Sequence, residues 1–164
     1  VFVQDFVVVE RPYDEVAERL VGDAKGILGE AFTASQAEGE RLRVRVGLAG
    51  WPDAFAKTVE LSPGPIRLRP EGGLLLAFSW QAVGSTASLF PRLDADLDVA
   101  PFGTDQTVVS LGGRYVPPAG ALGRVADELV LHRLAGSTLR AFLNGLAERL
   151  TTGDRPRVER TSCG

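Results

Sequence analysis

The chain contains one histidine, His132. It falls in the middle of the most apolar face of "YVPPAGALGRVADELVLHRLAGSTLRAFLNGLAERL", residues 115–150. An imidazole titrates near neutrality, so in such a place it could donate to, or accept from, a bound hydroxyl or carbonyl. The plainer reading is an imidazole bonded to a neighbouring side chain or to backbone. A single Cys, Cys163, and no second His leave nothing to complete a metal site or a nucleophile triad. A Walker-type loop, a dinucleotide fingerprint and a nucleophile elbow are absent too. The sequence therefore assigns no catalytic residue, no metal and no cofactor.

The other candidates each have two readings. Phe78 and Trp80 could stack on a flat ligand or simply fill a core. Asp94, Asp96 and Asp98 look like a carboxylate cluster, but they alternate with aliphatic residues, which reads as a solvated strand face. Arg92 and Arg114 could clamp a ligand carboxylate; the commoner outcome is an exposed Arg paired with an acid. Tyr115 shares the phase of Val109 and Leu111, so its hydroxyl could reach the end of an interior. Trp51, in "AGWPDAF", is either a lid at a pocket mouth or a plug in its rim.

The elements that must position these residues follow from periodicity. "FVQDFVVVE" is β-rich and Pro12 ends it. "YDEVAERLV" (13–21) reads as a short helix, with Asp14 and Glu15 in the first turn where the helix dipole favours them. "DAKGILGEAF" reads as a second, weakened by Gly26 and Gly29 at about 1 kcal/mol each. From Arg41 the period becomes two. "RLRVRVGL", "KTVELS", "PIRLRP", "LLLAFSWQA", "LFPRLDADLDVAPF" and "TDQTVVSLGGRYV" are six strand candidates after the opening one, with "SPGP" and "EGG" as turns. Strands in succession before one long helix predict an α+β fold: an antiparallel sheet of six to seven strands wrapped round a C-terminal helix, with two short helices after the first strand.

On that helix, entered through Pro117 and Pro118, Leu122, Val125, Leu129, His132, Gly136, Leu139, Leu143 and Leu150 form one stripe. Leu131, Leu134 and Phe142 are expected on the opposite side, to be covered by the early helices or by a second subunit. Gly136 either admits a close approach or leaves space. The inward strand positions are expected to be Leu76, Phe78, Trp80, Leu97, Val109 and Leu111. Facing Leu129, His132 and Gly136, they would line a mostly apolar pocket with a few polar tips, or else pack solid.

The order of elements resembles the START/Bet v 1-like helix-grip superfamily. The C-terminal half is similar to its bacterial polyketide cyclase/dehydrase-like branch. The residues that carry the likeness are "SWQA" (79–82), "LFPRLDADLDVAPFG" (89–103) and 107–150. The resemblance implies a sheet gripping the C-terminal helix across a hydrophobic cavity. It also implies a lipid, polyketide or aromatic ligand, or a cyclase/dehydratase in which His132 or Tyr115 moves protons. A ligand-free module that dimerises through the spare back of the helix is the third reading.

Composition narrows the partners. At 164 residues, 45% apolar and 24% charged, the chain suits one domain, expected over 1–151 with a polar tail at 152–164. A net charge of -3 argues against a nucleic-acid surface. No apolar run approaches the ~18 residues of a membrane span. The opening "VFVQDFVVVERP" is too short and acidic for a signal peptide, although the missing initiator Met suggests trimming. With one Cys, the expected compartment is a reducing cytoplasm.

Overall fold

Alternation governs the sheet. In "LDADLDV", Leu93, Ala95, Leu97 and Val99 are buried, while Asp94, Asp96 and Asp98 face outward. The computed structural model describes residues 2–45, 59–82, 92–116 and 128–152, with side chains described there except at 34–45, 59, 82 and 128–135. Its elements are β1 (Phe2–Val9), α1 (Tyr13–Arg45), β2 (Val59–Leu68), β3 (Leu74–Ala82), β4 (Arg92–Phe102), β5 (Gln106–Val116) and α2 (Glu128–Thr151). The strands form one antiparallel sheet in the order β1-β5-β4-β3-β2. The first strand pairs with the last, and the rest form a meander. Both helices pack on the same, apolar face. This is the expected α+β arrangement.

The described sheet has five strands, not six or seven, for two reasons. "KTVELS" and "PIRLRP" are one strand, β2, whose register shifts between Pro63 and Ile66. "SPGP" is thus an irregularity rather than a turn. Prolines are tolerated there because nothing described pairs with the other side of β2. Arg41–Arg45, expected to open a strand, instead ends α1. The preceding "GEAFTASQAEGE" is rich in good helix formers, and helix continuity outweighs five residues of alternation. The rest of that expected strand, and Trp51, lie outside the described residues.

The two early helices are present as two parts of α1. Asp23 is non-helical (φ -149°, ψ 60°). Its carboxylate accepts a hydrogen bond from the Gly26 backbone N–H at 2.9 Å. That is N-cap geometry, so Asp23 ends one helix and starts the next. The second part runs on to Arg45 and is longer than expected. Below it, Arg11 and Arg19 donate to the carbonyls of Leu150, Thr151 and Thr152. These are carbonyls that the end of α2 leaves without helical partners.

α2 is described from Glu128, so the expected turns at Leu122 and Val125 lie outside the described residues. Its rotation is fixed from both flanks. Arg140 reaches Asp5 of β1 at 2.6 Å, and Arg149 reaches Glu30 of α1 at 2.9 Å. Nine residues at 100° each set these two arginines about 180° apart. Between them Leu139, Phe142, Leu143, Leu146 and Leu150 are buried. Phe142, expected on the back of the helix, is therefore in the core. The buried arc is wider than the stripe because α2 packs against a sheet and a helix at once. α1 occupies the position a second subunit could have taken at this end.

Phe142→Ala is expected to destabilise the chain by about 3–5 kcal/mol, as for other buried aromatics. Arg140→Ala, on a half-exposed pair, is expected to cost under about 1 kcal/mol. Urea denaturation of the two variants measures the difference.

Candidate functional site

Cross-strand register sorts the inward residues into rows. Leu61, Trp80, Leu93 and Tyr115 form the first, nearest the C-terminal ends of β3 and β5. Phe78, Ala95, Gly113 and Val3 form the second. Leu76, Leu97, Leu111 and Asp5 form the third, and Leu74, Val99, Val109 and Val7 the fourth. Every inward strand residue expected from the sequence is buried: Leu76, Phe78, Trp80, Leu97, Val109 and Leu111.

These residues do different jobs. Leu76, Leu97, Val109 and Leu111 are sealed in the third and fourth rows. Phe78 and Trp80 belong to an aromatic cluster with one ring from each helix. Phe32 of α1 lies 4.7 Å from Trp80, and Phe142 of α2 lies 5.6 Å from both Phe78 and Trp80. At this point the space between sheet and helices is filled by side chains. Phe32 and Phe142 were missed as partners of Trp80. Their only sequence signal is an aromatic residue on the margin of each helix stripe.

The second row has a dip. Beyond Phe78 it offers only Ala95, Gly113 and Val3. A Cβ on Gly113 would stand 2.7 Å from the Ala95 Cβ and 2.8 Å from the Asp94 carbonyl oxygen. Backbone cannot yield, so this position requires glycine. Tyr115, two residues on, is partly buried against the core. Burial pushes its hydroxyl up from the usual 10.0 to about 12. On the helix side, a Cβ at Gly136 would meet no heavy atom within 4 Å among the described residues, so none of these makes a close approach to this glycine. Leu129 and His132 lie on α2 about two turns and one turn before Gly136, and their side chains fall outside the described residues.

On the outer face of the sheet the aspartates pair much as the alternation suggested. Arg69 bonds Asp98 at 2.6 Å and Arg92 bonds Asp94 at 2.9 Å. Asp98 keeps one buried carboxylate oxygen with no partner among the described residues. A shallow, open depression of about 360 Å³ lies here, lined by Ser62, Gly64, Ala77, Ser79, Asp94 and Asp96 among others. Among the described residues no group of three or more His, Cys, Asp or Glu is placed to hold a metal. No described helix is long and apolar enough to cross a membrane.

No protein-family model and no curated protein matches the chain. Solved structures do. A conserved protein from Geobacillus kaustophilus superposes with a TM-score of 0.53 at 11% identity, over 92% of this chain and 95% of that one. The hypothetical protein jhp0584 from Helicobacter pylori gives 0.49 at 13%, over 90% and 86%. The ZhuI aromatase/cyclase from Streptomyces sp. R1128 gives 0.45 at 16%, over 92% and 93%. The fold assignment rests on the first of these and on the topology itself: β1 beside the last strand, helices on one face, a long helix at the C-terminal end. The fold is START/Bet v 1-like, the helix-grip arrangement.

Two predictions follow from this geometry. Gly113→Val is expected to destabilise by about 1–3 kcal/mol through overpacking, measurable by thermal or urea denaturation. For Tyr115, the folded pKa lies above the unfolded one. Its contribution is thus complete below pH 10 and is lost as pH rises from about 10 to about 12. Stability measured across that window should fall less steeply in Tyr115→Phe than in the parent chain.

Proposed function

We propose that the chain binds a hydrophobic small molecule, of lipid, polyketide or aromatic type, between the sheet and the first turns of α2. The ligand would sit at the end marked by Trp80, Leu93 and Tyr115, over the dip at Ala95 and Gly113, with Leu129, His132 and Gly136 above it. Apolar burial would supply affinity, and one or two polar tips would orient the ligand. The observation that supports this reading is a pair of glycines, one on the sheet and one on the helix. The strand position at Gly113 admits no Cβ, and among the described residues a Cβ at Gly136 would meet no heavy atom within 4 Å. Leu76, Leu97, Val109 and Leu111 would serve as the sealed base behind the ligand.

Tyr115 would meet such a ligand as a protonated phenol, since burial pushes its hydroxyl up to about 12. A hydroxyl that keeps its proton to about pH 12 is a neutral hydrogen-bond donor at pH 7. A ligand with a carbonyl or ether oxygen at that end would suit it.

The test is native mass spectrometry on freshly purified protein, with titration of a hydrophobic fluorescent probe. The expected result is a retained mass or probe binding, weakened at least about tenfold by Gly136→Phe, whose ring would take the ligand's place. An intact fold with no retained mass and no probe signal would falsify the proposal, as would unchanged binding by Gly136→Phe.

A further inference from the structure

β1 is an edge strand of the described sheet. Among the described residues nothing pairs with its outer side. An edge strand presents unpaired N–H and C=O groups, and proteins blunt such edges with Pro, Lys or bulges. β2, at the other end of the described sheet, carries Pro63, Pro65 and a register shift. β1, "FVQDFVVV", carries no Pro and no Lys, and its register with β5 is unbroken from Phe2 to Val9. Its solvent-facing aromatic residues are uncovered, Phe2 at 66% and Phe6 at 60% exposure.

The flank of α2 beside this edge has a self-complementary pattern. Arg140, which reaches down to Asp5, marks the side of the helix that faces β1. Asn144 and Glu148 continue the same row at four-residue spacing, and all three are exposed. Read in the opposite direction, Arg-Asn-Glu meets Glu-Asn-Arg. Glu148 has no ion-pair partner among the described residues. β1 and α2 run in the same direction, since Asp5 lies against Arg140 and Arg11 against Thr151. A two-fold axis that makes β1 antiparallel to a second β1 therefore makes the two α2 helices antiparallel as well.

Chemistry selects the register. Centring on Asp5 would set two carboxylates directly opposite, which is destabilising. Centring on Phe6 sets Phe6 against Phe6, Gln4 against Val8, and Val3 against Val9. That register joins seven residues, Val3 to Val9, and puts an aromatic pair at the axis. Asn144 then lies within about one helical turn of the axis, and the long Arg140 and Glu148 side chains can meet across it. The smaller Ser137 and Asn144 on this flank allow helices to approach to about 8–10 Å.

We infer that the β1 edge, with the Arg140–Asn144–Glu148 row of α2, is a docking surface for a second copy of this chain, joining two sheets into one through antiparallel β1–β1 pairing centred on Phe6. The inference stands apart from the ligand reading, because it uses the outer edge and not the interior.

Sedimentation of the full chain over a concentration series should show a monomer–dimer equilibrium. Phe6→Lys is expected to weaken association at least about tenfold while leaving the circular dichroism spectrum unchanged, since Phe6 is mostly exposed. In a Cys163→Ser background, Phe6→Cys should cross-link on oxidation, because directly opposed residues place their Cβ atoms about 5 Å apart. Phe102→Cys, exposed at the far hairpin, should not. Glu148→Arg should weaken association at low salt. The inference is overturned by a chain that stays monomeric, by a dimer indifferent to Phe6→Lys or Glu148→Arg, or by equal cross-linking of the two cysteine variants.

Discussion

Four aromatic rings hold the layers of this protein together. Phe78 and Trp80 stand on β3, Phe32 on α1 and Phe142 on α2, with centroid distances from 4.7 to 6.2 Å. Tilted, offset and edge-on contacts at such distances add roughly 0.5–1.5 kcal/mol per pair beyond the area that they bury. More important is what they connect. Two helices distant in sequence are fixed over the same two strand positions. Arg140–Asp5 and Arg149–Glu30 then set the rotation of α2 from either side. Those half-exposed pairs contribute little stability. Their role is orientation: the aromatic cluster supplies the adhesion, and the arginines determine which arc of the helix it acts on.

The sheet was legible because strand alternation is a local signal. Leu93, Ala95, Leu97 and Val99 against three aspartates can be assigned to faces without knowing any partner, and the burial follows that division. The strand and turn at Gly72–Gly73 were readable for a related reason: both glycines have positive φ, which other residues avoid. Helices were harder. The reading that put Phe142 behind α2 assumed one buried stripe, which suits a helix with one neighbour. α2 has two, and the second, α1, ends more than eighty residues before α2 begins. Arg41–Arg45 failed in a similar way. Five alternating residues fit a strand, but they follow an uninterrupted helical run from Ala24, and a local pattern cannot register that momentum.

The candidate site was legible in its walls and not in its volume. Whether Phe78 and Trp80 touch a ligand or a neighbour depends on Phe32, whose place nothing in the linear sequence ties to β3. They touch Phe32 and Phe142, so at that point the core reading holds. The glycines carry more information than the aromatics. Gly113 read as ordinary strand sequence, "SLGGRY", yet the contact with Ala95 and the Asp94 carbonyl makes it obligatory. A close approach between backbones cannot be foreseen without the register that creates it.

Adhesion between helices and sheet asks for large apolar residues, and the rows of the sheet meet that demand unevenly. Apart from Asp5 on β1, the third and fourth rows are leucine and valine, and they lie toward the end where Arg11 and Arg19 clasp the last carbonyls of α2. The second row holds Phe78, Ala95, Gly113 and Val3, so its two middle positions are small. A glycine in a helix costs about 1 kcal/mol against alanine, and among the described residues a Cβ at Gly136 would meet no heavy atom within 4 Å, so close packing against them does not require a glycine there.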